Sequence, residues 1–190
     1  MSKLLLGSVI FAAMALQGCA NTTHTIDIEP KTFVADQQYS NQHQIHYSVK
    51  PFSVNKIGII KTGIGEKATI VVGNNVRSAL EASMSSKLTD YGFKSNQGAL
   101  PATLFTIELS NLSYTTRTIA LKTEATLIAD IKATVVKGDQ TYSANFKSEK
   151  IDQYGTLPDR EVVEEEINQL LGKTIDRAFH DKKLIALLSY

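Results

Sequence analysis

The sequence predicts an α+β fold, in which two amphipathic helices pack on one face of a mostly antiparallel sheet. Three observations lead to this class. Apolar residues alternate with polar ones over several segments, as in strands with one buried face, and they recur every three or four positions over two others, as in amphipathic helices. Long strand patterns also follow one another in the second half of the chain with no helix between them. That order favours an antiparallel meander.

The first strand of the structured body is expected near Ile45, since Ile45, Tyr47 and Val49 alternate with polar residues. A second strand is predicted over 56–61, and the β-branched run 69–72 predicts a third.

A helix is predicted from Asn75 to Tyr91. Asparagine is a preferred N-cap residue, and Gly92 after the helix can adopt the left-handed conformation of a C-terminal cap. The apolar residues of this segment repeat every four positions: Val76, Leu80, Met84 and Leu88.

The clearest strand pattern runs from Ile119 to Val135, where every odd position except Thr123 is apolar and the charged residues lie at even positions. In the preceding strand pattern the parity of the apolar residues changes near Ser110 or Asn111, which predicts a β-bulge. The sequence 137–139, Lys-Gly-Asp, predicts a hairpin turn. Together these segments predict a three-stranded antiparallel meander.

A second helix of roughly twenty residues is predicted after Thr156-Leu157-Pro158-Asp159, a capping-type entry. Its first turns carry Glu161, Glu164, Glu165 and Glu166. We interpret these acids as partners of the helix dipole and not as a cation site, because carboxylates are favourable at a helix N-terminus. The apolar stretch 183–190 is either a docked terminal helix or an exposed tail.

The N-terminus predicts lipid anchoring. The apolar run 4–16 is too short to span a membrane and ends in Leu16-Gln17-Gly18-Cys19, where small residues precede a cysteine. This pattern predicts a lipoprotein signal peptide over 1–18, which is removed, and a lipid-modified Cys19. Ala20, in place of an aspartate, favours sorting to the outer membrane. We expect a polar tether over 19–44, with one short strand near 25–29, and a single α+β domain over 45–190.

These features together resemble the YajG-type lipoproteins of Gram-negative bacteria. The resemblance rests on the Cys19 motif, the strand 69–72 leading into the helix at Asn75, the helix end Asp90-Tyr91-Gly92-Phe93, the hairpin at 137–139 and the closing amphipathic helix. It implies an outer-membrane lipoprotein with an α+β body. Because the family is uncharacterised, it implies no active-site residues.

Composition and motifs argue against catalysis. Cys19 is the only cysteine, so no intramolecular disulfide can form, and no serine lies in a nucleophile elbow. Gly63-Ile64-Gly65-Glu66-Lys67-Ala68 has dinucleotide-loop spacing, but a strand follows where that loop needs a helix. His43 and His46 would face opposite sides of a strand, and His24 lies in the expected tether. His180, beside Asp181, ends the last helix, where a charged imidazole favours the dipole.

We therefore expect no catalytic residue, no metal site and no cofactor other than the covalent lipid on Cys19. Removal of Lys3 with the signal peptide leaves 19 basic and 19 acidic residues, which argues against a nucleic-acid partner. The function expected is a binding or structural lipoprotein that meets the membrane through acyl chains and contacts an envelope protein. An accessory role in lipid or lipopolysaccharide transport, and activation of peptidoglycan synthesis, are the alternatives. The sequence leaves the binding residues and the oligomeric state open.

Overall fold

The computed structural model describes residues 22–39, 44–50, 52, 56–62, 65–95 and 103–189. The predicted signal peptide, Cys19 and His43 lie outside these residues. The described strands are β1 Thr22–Ile26, β2 Gln44–Val49, β3 Lys56–Lys61, β4 Lys67–Val72, β5 Lys94–Ser95, β6 Thr103–Ile119, β7 Lys122–Lys137 and β8 Gln140–Tyr154. The helices are α1 Val76–Asp90, α2 Arg160–Phe179 and α3 Lys182–Ser189.

The sheet is mixed, so the prediction of a mostly antiparallel sheet is wrong in this respect. Strands β6, β7 and β8 form the predicted antiparallel meander, and β3 pairs antiparallel with β4. In contrast, β1 pairs parallel with β4, and β2 pairs parallel with both β5 and β6. Strands that pair in parallel lie far apart along the chain. The alternation of apolar and polar residues within a strand does not indicate which distant strand will be its partner.

The meander confirms the local strand predictions. Odd positions of β7 from Ala125 to Val135 are buried, the β6 register shifts between Leu109 and Asn111, and β7 ends at Lys137 before the two-residue turn. The apolar face does not extend back to Ile119. The chain turns at residues 120 and 121, so Ile119 and Leu121 are exposed.

The predicted first helix is confirmed as α1. The side chain of Asn75 caps it by accepting a hydrogen bond from the Ser78 backbone N–H at 3.1 Å. The four predicted apolar residues of its stripe are all buried, and α1 contacts β2 and β5. At the other end Gly92 has a φ of +79°, the left-handed conformation predicted for this position.

Helix α2 confirms the second predicted helix. Asp159 is its N-cap by backbone conformation, although its side chain makes no capping hydrogen bond. The terminal stretch is a docked helix, α3, whose residues Leu184, Ile185 and Leu188 are buried. Both helices contact β7 and β8. No helix of the described residues is long and apolar enough to cross a membrane.

The body begins earlier in the chain than Ile45. Strand β1 pairs with β4 over five residues, and Ile26 and Ile28 are completely buried. Residues 22–39 therefore belong to the packed body, although the sequence predicted a polar tether over 19–44. For residues 22–39 the prediction is wrong. Most side chains here are polar, and the segment is held largely by hydrogen bonds of its backbone, which a pattern of apolar side chains does not reveal.

Candidate functional site

A segment that we call the strap, residues 27–34, leaves β1 and runs along α2. Contacts between this region and the helix recur every four helix residues, on a stripe formed by Glu164, Asn168, Gly172, Asp176 and His180. Four helix residues advance about 6 Å, and two extended residues advance about 6.6 Å. Because these distances nearly match, alternate strap residues meet successive turns of the helix.

The backbone N–H groups on one edge of the strap donate to α2. Asp27 donates to Glu164 Oε2 at 3.0 Å, Glu29 donates to Asn168 Oδ1 at 2.7 Å, and Lys31 donates to the Asn168 carbonyl at 3.1 Å. Asn168 also donates from its side chain to the Asp27 carbonyl at 2.9 Å. The polar stripe of the helix thus supplies partners to an extended segment that pairs with none of the described strands.

The opposite side of the strap is held by the loop before α1. Asn74 accepts from the Ile28 N–H and donates to the Ile28 carbonyl, both at 2.9 Å. Gly172 permits the close approach to α2, because a Cβ at this position would lie 1.9 Å from the Lys31 carbonyl oxygen. The strap is therefore fixed between the two helices by side chains that all lie far from it in sequence.

A buried ion pair holds the end of the strap. Lys87 of α1, whose side chain is 1% exposed, lies with its Nζ 2.5 Å from Oδ1 of Asp176. Oδ2 of the same carboxylate accepts from the Phe33 N–H at 2.9 Å, and Lys87 donates to the Phe33 carbonyl. The ammonium also lies 5.4 Å from the centre of the Tyr91 ring. Burial, followed by the negative charge of Asp176, raises the pKa of Tyr91, so this phenol stays neutral.

Although its backbone is bound by this ion pair, Phe33 is 69% exposed. Both polar groups of its backbone are bound, so an aromatic ring stands in solvent on a fixed backbone. Val34 beside it is also exposed. Such a ring can be buried by a partner with little loss of backbone entropy.

A groove of about 580 Å³ lies beside Phe33, between the strap, α2 and β8. Besides Phe33 and Leu170 it is lined mainly by charged residues of both signs, Lys31, Glu149, Lys150, Glu166 and Lys173. Lys150 donates to Glu166 at 2.9 Å and lies 3.0 Å from Asp152. Burial acts to lower the pKa of Lys150, but these two carboxylates outweigh burial and raise it, so this groove residue stays cationic at neutral pH.

The four glutamates at the start of α2 are all paired, and two of them share Arg160. Glu161 pairs with Arg160 at 2.7 Å, Glu164 binds Arg160 at 3.3 Å and the strap, Glu165 pairs with Lys31, and Glu166 binds Lys150. Among the described residues no three His, Cys, Asp or Glu side chains come close enough to hold a metal ion. Three of the acids, Glu164, Glu165 and Glu166, instead link α2 to the strap and to β8.

The described histidines and the glycine motif lie in different elements and do not form a common site. His24 lies in β1 and is buried, contrary to its expected place in a tether, and burial lowers its pKa. His46 lies in β2, and His180 caps α2 with Nε2 3.6 Å from Asp36. Gly65 lies in the connection from β3 to β4, so a strand does follow the glycine motif, as the sequence predicted.

Sequence reasoning missed Lys87, Asp176, Asn168 and the strap. One signal was present: polar or small residues at 164, 168, 172, 176 and 180 recur every four positions beside the apolar face of α2. A stripe of that kind, containing glycine and asparagine, indicates that backbone packs against the helix. It does not indicate which segment supplies that backbone.

Comparisons with known proteins find a matching family model and solved structures of similar fold. A family model described as an uncharacterized lipoprotein matches residues 53–189. A comparison with curated proteins finds no match. The crystal structure of protein XCC0632 from Xanthomonas campestris, of the DUF330 family, is similar with a TM-score of 0.53 and 12% identity, covering 87% of this chain and 95% of that one. At this identity the likeness concerns the fold alone.

A second solved structure is a putative neuraminyllactose-binding hemagglutinin homolog from Helicobacter pylori. It has 10% identity and a TM-score of 0.48, and the match covers 84% of this chain and 96% of that one. A similarity of this size carries no argument about binding.

Proposed function

The chain belongs to this family of uncharacterized lipoproteins, and we propose that it is a non-enzymatic component of the outer membrane that binds an envelope protein. In this proposal residues 1–18 are removed as a signal peptide and Cys19 carries the acyl chains. Several acyl chains anchor a protein far more firmly than one. Ala20 after the cysteine supports sorting to the outer membrane, with the body facing the periplasm.

The observation that carries the binding role is the exposed ring of Phe33 on a backbone fixed by Lys87 and Asp176. Binding energy at protein interfaces is concentrated in a few aromatic or arginine anchors surrounded by polar contacts. Phe33 supplies such an anchor, and the charged groove beside it supplies polar contacts. Because the strap is already ordered, a partner need not bear the cost of ordering it.

The nature of the groove favours a protein partner over a lipid. An accessory subunit of lipid or lipopolysaccharide transport is expected to present a groove lined by valine, leucine and phenylalanine. Here most of the groove surface is apolar, but five of the nine lining residues end in charged groups, and Phe33 has its ring in solvent, so the lining is not a continuous valine, leucine and phenylalanine surface. Mixed charge suits polar contacts at the rim of a protein interface.

We expect the substitution Phe33→Ser to abolish capture of the partner. Full-length lipidated protein is purified from detergent-solubilised envelopes, and the captured proteins are quantified by mass spectrometry. Loss of an aromatic anchor costs about 2 kcal/mol or more, so affinity falls by roughly 30-fold or more. The unfolding free energy changes by less than about 0.5 kcal/mol, because the ring is exposed.

The matched control is Leu104→Ser, which removes an exposed apolar side chain at the start of β6, away from the groove. This variant should capture the same proteins as the wild type. Equal capture by Phe33→Ser and the wild type would show that the strap is not the binding surface.

A further inference from the structure

The hairpin that joins β6 to β7 exposes apolar side chains at its tip. Leu121 is 93% exposed and Ile119 is 41% exposed, and Lys122 beside them is also exposed. Ala120 adopts a φ of +53°, a conformation that costs energy for any residue with a Cβ and that glycine normally fills in hairpin turns. This tip therefore combines a strained turn with an unburied leucine, and neither feature helps the body to fold.

The strand directions place this tip at the edge of the sheet where β1 begins. Strand β1 runs parallel to β4, β4 runs antiparallel to β3, and β3 runs parallel to β6. It follows that β1 begins at the edge where β6 ends. Thr22, which follows Cys19 by three residues, therefore lies at this edge.

The register shows how far the tip projects. Thr22 lies opposite Ala68, and Ala68 lies opposite Ile60. Thr116 of β6 is level with this row, since its hydroxyl donates to the Ile59 carbonyl at 3.3 Å. From Thr116 to the turn at Ala120 is four residues, or about 13 Å of strand.

Cys19, the proposed lipid anchor, can lie about as far from this edge as the tip of the hairpin does. Cys19 precedes Thr22 by three residues, so its Cα lies at most about 11 Å from that of Thr22, whatever conformation the segment adopts. With the lipid of Cys19 in the bilayer, the edge of the sheet is held at the membrane surface. A hairpin that projects about 13 Å from the same edge then meets the headgroups.

The charges at this edge suit an anionic surface. The described residues at the ends of β3, β4, β6 and β7 include four cations, Lys61, Lys67, Arg117 and Lys122, and two acids, Glu66 and Glu124. Arg117 and Glu124 pair with each other at 2.5 Å. Three lysines and one glutamate remain, so the ends of these four strands carry a net positive charge. Strand β8 ends at the same edge with Asp152 paired to Lys150, and the start of α2 near β1 carries Asp159, Arg160 and Glu161, so the positive excess belongs to β3, β4, β6 and β7 alone.

We propose that the β6–β7 tip, with Ile119 and Leu121, inserts into the headgroup region of an anionic phospholipid bilayer and is a second membrane contact beside the lipid of Cys19. This inference rests on the proposed lipidation of Cys19. The insertion fixes the orientation of the body on the membrane, which a lipid on a single residue does not do.

The sequence contains no tryptophan, so Leu121→Trp introduces a single fluorescent probe at the tip. The full lipidated variant is reconstituted into vesicles of phosphatidylethanolamine and phosphatidylglycerol. We expect its emission to shift to the blue and to be quenched by brominated phospholipid. Leu104→Trp is the matched control, because Leu104 is a 45% exposed apolar residue at the opposite end of β6. It should show neither effect.

Lys122→Gln in the Leu121→Trp background tests the charge. We expect it to lower the ratio of inserted to free tip about fivefold in anionic vesicles and to leave it unchanged in phosphatidylcholine. If lipidated Leu121→Trp protein floats with vesicles while its tryptophan fluorescence is unquenched, the proposed insertion is overturned and the anchoring stands. Retained palmitate label in Cys19→Ser would instead overturn the proposed anchor.

Discussion

A chain that ends after Lys182 is expected to be unfolded. The truncation removes Leu184, Ile185 and Leu188, which α3 buries against the body. Truncating one such buried side chain to alanine costs about 2–5 kcal/mol. Removing all three therefore costs about 6–15 kcal/mol, which is as large as the roughly 5–15 kcal/mol that stabilises an ordinary domain. The near-ultraviolet circular dichroism signal and the cooperative thermal transition should both be lost.

Two point variants of α3 serve as controls for the truncated chain, because they keep the whole segment. Leu184→Ala should fold but lose about 2–5 kcal/mol of unfolding free energy, whereas Lys182→Gln on the exposed start of α3 should lose less than about 0.5 kcal/mol. A truncated chain that melts like the wild type would mean that α3 is an appendage, as the exposed-tail alternative from the sequence supposes.

The second large effect is expected from Lys87→Met. Methionine fills similar space but leaves the Asp176 carboxylate buried beside Phe33 without its cation. Removing one partner of a buried ion pair costs about 3–5 kcal/mol, because the remaining charge stays uncompensated. The unfolding free energy measured by urea titration should fall by this amount.

The matched control is Lys50→Met, which removes the lysine of an exposed pair with Glu108 at 2.8 Å. Pairs of this kind contribute about 0–1 kcal/mol. The double variant Lys87→Met with Asp176→Leu should recover part of the loss, since neither buried charge then remains. Equal urea midpoints for Lys87→Met and Lys50→Met would mean that the buried pair contributes nothing to the fold.

The sequence predicts those parts of the structure that depend on neighbours along the chain. Helix α1, the bulge near Asn111 and the turn after Lys137 all follow from local periodicity and residue type. The parallel partners of β1 and β2 do not, because any strand with one apolar face can pair with several others. Pairing is decided by long-range packing.

The candidate site was hidden for a related reason. Phe33 lies in a polar stretch, and the groups that fix its backbone, Lys87 and Asp176, are 54 and 143 residues away along the chain. Charged residues in helices usually face solvent, so the sequence does not predict that Lys87 or Asp176 is buried. The glutamates of α2 suit the helix dipole, as the sequence predicts, and the structure adds specific partners for them.

The central claim is that the strap is a fixed part of the body and presents Phe33 on a rigid backbone. Native-state hydrogen exchange of the Glu29 and Phe33 amides tests it without knowledge of a partner. Both amides donate to buried side chains of α2, so they should exchange no faster than the interior amides of that helix. Exchange of these two amides at the rate of an unstructured chain, while α2 remains protected, would contradict the account.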